Sequence, residues 1–249
     1  MTATDRLTHS GHALFARYAF PPNELGYCGP PGAGVLPGGD ANDLADYARE
    51  FDGAWPYLSA IADAAGRPDP LEEQVVRSYW VGGPLLDEVD AAALLARLRV
   101  AFSGQVTGLL AEVPADVPAD NVLANHSFHV FVVYPWARFL DRDPSTPVKV
   151  MQDCRIRWGV VDEVHDEHAV IVSRPLTFDS GVLSLGEPAA EWVRWCRDGA
   201  SLAPAPVPGQ TVSAHWDWIC GALSGPEAAD LEAATSATLT LVNAARRRS

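Results

Sequence analysis

Cysteine and histidine are the residues of this chain whose chemistry is most readily put to use. The segment Asn125-His126-Ser127-Phe128-His129 sets two imidazoles three positions apart. On a helix they share a face and could bind one metal ion. Cys28 lies in a loop between Gly26 and Gly29-Pro30, where a nucleophile is easily exposed. Paired with His126 or His129, it could carry acyl-transfer or hydrolytic chemistry, with Asn125 orienting the imidazole. Each residue also has a plainer role. The glycines serve as turn residues, cysteine is commonly buried, and a histidine can bond a neighbouring carbonyl.

The other three cysteines are Cys154, Cys196 and Cys220, and the four together form no paired CxxC pattern. Asp162, Glu163, Asp166 and Glu167 flank His165 and His168 as an acidic cluster, which reads as a solvated hairpin turn. Trp216 and Trp218 alternate as strand neighbours on one face would. No phosphate-binding or dinucleotide fingerprint is present, and Gly32-Ala33-Gly34 lacks the strand and helix that would make one.

The 249 residues carry a formal net charge of -14, and 48% of them are hydrophobic. A globular fold with a sizeable core follows. The charge argues against nucleic acid and against an anionic membrane surface, since both need clustered Lys and Arg. The one basic run, Arg246-Arg247-Arg248, sits at the tail. No apolar run reaches membrane-spanning length and the first residues lack a signal-peptide core. The expected location is the cytoplasm, where thiols stay reduced.

These residues are positioned by two kinds of sequence. Helices are expected at 5–20, stopped by Pro21-Pro22; at 41–65, kinked at Pro56; at 71–79; and at 85–110. The run 126–140 is rich in β-formers, yet its length and neighbours favour a buried helix kinked by Pro135. Gly- and Pro-rich loops are expected at 23–39 and 113–120. After the prolines of 141–147 the pattern changes. Strands are expected within 148–164, 169–176, 181–185 and 207–223, a short helix at 187–196, and a terminal helix from Pro226. The fold class is therefore α+β, with a helical domain at 1–147 and a small β-barrel with a C-terminal helix at 148–249.

Within the second part, Cys154 precedes Gly159-Val160-Val161, and Gly209-Gln210-Thr211-Val212-Ser213-Ala214-His215-Trp216 closes the barrel sequence. These two motifs, followed by a helix rich in Glu and Ala, resemble the HypC/HupF-type chaperones of [NiFe]-hydrogenase assembly. The resemblance implies a HypC-like barrel in which Cys154 and His215 hold an iron carrying cyanide and carbonyl ligands. It implies maturation factors or the hydrogenase large subunit as partners. Cys154 is internal here, where that family has an amino-terminal cysteine, and Trp158 stands where it usually has proline. The whole chain is also similar to an actinobacterial family of unknown function associated with hydrogenase gene neighbourhoods, on Phe15 to Pro30, Phe51 to Leu58 and Tyr79 to Leu86. Three readings remain: an iron-binding or docking assembly protein, a Cys28–histidine enzyme, and an interaction module with inert thiols.

Overall fold

A computed structural model of the chain describes residues 3–31, 41–113 and 121–248. The expected loops at 23–39 and 113–120 lie partly outside these residues, and Gly32-Ala33-Gly34 lies wholly outside them. Helix α1 spans Ala3–Glu24 and buries Leu14, Phe15, Tyr18 and Ala19, the spacing of one helix face. Pro21 and Pro22 do not stop it; both lie inside the helix. Pro22 has no N–H, so the Tyr18 carbonyl one turn earlier loses its helical donor. The His215 ring takes that carbonyl instead, with Nδ1 at 2.7 Å.

The single helix expected at 41–65 is two, α2 at Ala41–Arg49 and α3 at Trp55–Ala64. Pro56 sits in the first turn of α3, where a missing N–H breaks no bond. Helix α4 covers Glu73–Trp80. The helix expected at 85–110 is a 3-10 turn, Pro84–Glu88, followed by α5, Ala91–Ala101. Asp90 restarts the chain as an N-cap, its side chain accepting from the Ala93 N–H at 2.8 Å. Leu109 and Leu110 are buried from a loop, and the Gly108 and Leu109 N–H groups donate to the Val133 and Val132 carbonyls.

The run 126–140 is helical but irregular. A three-residue α turn, α6 at His126–Phe128, passes into a π-helical stretch, His129–Val133, and then a 3-10 turn, Pro135–Phe139. The Tyr134 N–H reaches back five residues to the His129 carbonyl at 2.9 Å. The expected strand start at Val148 is corrected too, because Ser145–Cys154 forms α7. Its buried positions Pro147, Met151 and Cys154 follow helical spacing. Cys154 thus ends a helix and is not part of a strand.

Five strands then close into a barrel in the order β1-β2-β5-β7-β6, with β6 pairing back onto β1. They are β1 Arg157–Val164, β2 His168–Ser173, β5 Ala189–Arg194, β6 Thr211–His215 and β7 Trp218–Ala222. The helix expected at 187–196 is strand β5, whose Val193 faces in while Trp192 is 64% exposed. The barrel interior is filled by Val161, Ala169, Ile171, Val193, Val212, Ala214 and Ile219. Strands β3, Leu176–Asp179, and β4, Val182–Leu185, form a separate hairpin. Asn243 of the terminal helix α8, Gly225–Arg246, bonds both the N–H and the carbonyl of Leu183 in that hairpin. The acidic segment at 165–167 is the β1–β2 turn, closed by the His165 N–H on the His168 carbonyl at 2.7 Å. Trp216 and Trp218 do not share a strand: Trp216, at φ 51°, makes the turn between β6 and β7.

The main apolar core draws on both parts of the chain. It runs from Phe15 and Tyr57 through Trp80 and Phe131 to Cys154, Trp218 and Leu241. Gly11 brings α1 against the backbone that opens α4, and a Cβ there would stand 1.9 Å from the Leu71 carbonyl oxygen. Gly11→Ala should therefore lower unfolding free energy by at least about 2 kcal/mol, read as a lower urea midpoint.

Candidate metal centre

Three elements that are remote in sequence meet at the inner end of the barrel. His126 opens α6, Cys154 ends α7 and His215 ends β6. One ligand atom from each lies within 4.8 Å of the others. Among the described residues this is the group of His, Cys and carboxylate side chains with metal-binding geometry. All three are buried, at 3%, 1% and 0% exposure.

Local structure explains how each one is aimed. Asn125 caps α6 by accepting from the Ser127 N–H, and its amide donates to the Ser78 carbonyl. His126 is thereby seated against Trp80, with ring centroids 4.6 Å apart, and against His215 at 5.1 Å. Its Nδ1 is 3.0 Å from the Tyr79 hydroxyl, which donates to the Gly53 carbonyl at 2.7 Å. Its Nε2 is 2.9 Å from the Cys154 carbonyl. His215 Nδ1 must donate to the Tyr18 carbonyl, which can only accept, so Nε2 carries the lone pair of the neutral ring. That Nε2 is buried without a hydrogen-bond partner.

The Tyr79–Gly53, Tyr79–His126 and His126–Cys154 contacts need three protons to be hydrogen bonds. A phenol and a neutral imidazole supply two. Burial holds the ring neutral and pushes its pKa down to about 4, against a weaker upward pull from the Cys154 carbonyl. If Nε2 instead binds a cation, the conflict disappears. Nδ1–H then donates to Tyr79, Tyr79 donates to Gly53, and the lone pair on Nε2 is free. Both imidazoles then have the arrangement of metal-bound histidine, one nitrogen on the metal and the other held by an outer hydrogen bond.

The donor set is one thiolate and two neutral imidazoles. It suits iron, zinc or copper and leaves at least one coordination position for an exogenous ligand. Without a metal the thiol stays protonated, because burial raises the Cys154 pKa well above its ordinary value, with smaller contributions from Cys28 and Asp153. Metal binding must therefore release that proton.

The remaining sequence candidates lie beside this cluster. His129 does not join it. Its Nδ1 faces the Tyr57 hydroxyl at 3.3 Å and its ring packs on Tyr134 at 4.5 Å. Its Nε2 is buried without a partner next to Gly53. Cys28 is half-buried and bonds the Tyr134 hydroxyl. Among the described residues no hydrogen bond joins it to His126 or His129. Burial pushes its thiol up to about 11, despite the Tyr134 bond, the opposite of an activated nucleophile. The resemblance singled out Cys154 and His215 without His126. Nothing in the local sequence ties His126 to Cys154, and the link is made only by packing.

The buried imidazoles make the metal-free fold sensitive to acid. The folded pKa of His126 lies near 4, below the ordinary 6.5, so on acidification the unfolded chain takes up its proton first. Stability is fully present above about pH 6.5 and falls as the pH drops toward 4. For His126 alone the loss is roughly 3 kcal/mol. Urea midpoints of metal-free protein should decline across this window, and His126→Gln should flatten the decline.

No curated protein and no solved structure matches the chain. A family model does match it, over residues 7–249. The chain therefore belongs to a family of unknown function, DUF6390.

Proposed function

We propose that this protein is a metal carrier acting in [NiFe]-hydrogenase assembly, holding an iron species at His126, Cys154 and His215. The observation that carries the metal reading is the convergence of these three side chains in a buried site, with both imidazoles held at Nδ1 by hydrogen-bond partners outside the cluster. Low-spin iron favours a thiolate and neutral imidazoles, and the remaining positions would hold diatomic ligands. The hydrogenase assignment rests on the resemblance of the Cys154–Val161 and Gly209–Trp216 motifs to HypC-type chaperones. A closed five-stranded barrel with a C-terminal helix is compatible with it. Hydrogenase maturation factors or the large subunit would be the partners that load and unload the site.

The enzyme reading receives less support. Its thiol is protonated and bonded to a phenol, where acyl transfer needs a thiolate or an adjacent base.

The test is metal analysis with infrared spectroscopy on protein purified without air from cells making hydrogenase. The expected result is near-stoichiometric iron with bands from bound cyanide or carbonyl. Cys154→Ala, His215→Ala and His126→Ala should each retain less than about a tenth of that metal while keeping the far-ultraviolet circular dichroism of the parent. Unchanged metal content in folded Cys154→Ala protein would sink the proposal.

A further inference from the structure

The last turn of α4 brings two adjacent side chains to the candidate centre. Tyr79 meets His126 at Nδ1. Trp80 is 1% exposed, and its indole packs on both imidazoles, 4.6 Å from His126 and 5.7 Å from His215 between ring centroids. The other rings around it are Phe15, Tyr18 and Tyr79. Their hydroxyls are already engaged, Tyr18 with Ser213 at 2.8 Å and Tyr79 with Gly53 and His126. An indole nitrogen can only donate. In Trp80 it is buried without a partner.

Two neighbouring rings thus carry unpaired buried atoms of opposite kind. His215 Nε2 has a lone pair and no donor, and Trp80 Nε1 has a proton and no acceptor. Either is costly in an apolar interior. A cation at the cluster satisfies the first and leaves the second. It also leaves a charge. A divalent ion displaces a single proton, that of Cys154, so one thiolate and two neutral imidazoles give the loaded centre one net positive charge. Among the described residues no carboxylate belongs to the cluster. Glu191, near the α7–β1 junction, is already paired with Arg157 at 3.1 Å. An uncompensated charge in a low-dielectric interior is expensive. One occupant of the open coordination position answers both needs: a small anion that gives a lone pair to the metal and accepts the Trp80 N–H.

We infer that the centre takes a small monoanion, of the class of hydroxide, cyanide or azide, as its exogenous ligand, and that Trp80 Nε1–H is the hydrogen-bond donor that selects it. The inference rests on the metal reading of His126, Cys154 and His215 and is independent of the hydrogenase assignment. Binding forms one bond from the anion to the metal. The indole keeps its proton, and nothing is oxidised or reduced. A neutral ligand of the same size leaves the charge uncompensated and accepts a weaker hydrogen bond, so the centre ranks anions above it. Trp80 acts here on the outer side of the exogenous ligand, as Tyr79 and the Tyr18 carbonyl act on the outer side of the two imidazoles.

Titration of Co(II)-loaded full-length protein with azide tests this, because the ligand-field bands of cobalt report each of its ligands. The parent should bind azide. Trp80→Phe should keep the thiolate-to-cobalt charge-transfer band while binding azide at least about tenfold more weakly. The antisymmetric stretch of bound azide should differ between the two proteins, because it senses the lost hydrogen bond. A measurement on the parent alone covers the case in which Trp80→Phe does not fold. With zinc bound and tryptophan isotope-labelled, azide should shift the Trp80 indole N–H resonance, recognised by its contacts with the Tyr18 and His126 rings. Equal azide affinity in folded Trp80→Phe, or an indole resonance that azide leaves unmoved, overturns the inference and leaves the metal centre standing. So does a parent protein that binds Co(II) and takes no azide. Failure of the parent to bind Co(II) overturns the metal reading as well.

Discussion

The hydrogen bond from His215 Nδ1 to the Tyr18 carbonyl is the contact on which the rest of the structure turns. It joins the first helix to the end of strand β6, across 197 residues of sequence separation. It exists because Pro22 withdraws the helical N–H that would otherwise take that carbonyl. The proline that usually ends a helix here opens an acceptor inside one. His215 fills it and is thereby locked in the tautomer that points its other nitrogen at Cys154 and His126.

Around this contact the protein accumulates buried polar groups in an apolar setting. Trp80 packs against Phe15, Tyr18, Tyr79, His126 and His215. The α7–β1 junction beside Cys154 is fixed by two buried arginines. Arg157 donates to the Glu191 carboxylate and to the Trp216 carbonyl, and Arg155 bonds Gln152. A low-dielectric interior makes satisfied polar networks rigid and unsatisfied ones costly. Among the described residues six buried side-chain atoms lack a partner; His215 Nε2, His129 Nε2 and Trp80 Nε1 lie at or beside the candidate centre, and the others are Asn23 Oδ1, Arg194 Nε and Trp216 Nε1. Buried groups left unpaired in an otherwise satisfied network are those most easily explained by a ligand.

Much of the architecture was legible in the sequence. The passage from a helical part to a strand-rich part, the acidic turn at 165–167 and the terminal helix all follow local pattern, although the passage comes after Cys154 and not at 148. Errors arose where local pattern is ambiguous. The segment 187–196 looks helical because Trp192 and Trp195 are three apart, yet barrel closure makes 189–194 a strand with Trp192 facing out. Residues 148–154 are rich in strand formers, but Pro147, Met151 and Cys154 bury one helical face. Tertiary packing outweighs propensity in both cases.

The sequence by itself determined the inventory: four cysteines, a pair of histidines at 126 and 129, a histidine closing a barrel strand, and an acidic surface unsuited to polyanions. It determined the α+β class as well, because periodicity is a local property. Only the tertiary structure decided which of these side chains meet. His126 joins Cys154 and His215, while His129 turns toward Tyr57 and Tyr134 and Cys28 bonds a phenol. The physical reason is that the meeting depends on a carbonyl freed at Tyr18 and a hydroxyl held at Tyr79. Neither is a motif, and each acquires its role only when the helices and the barrel pack together.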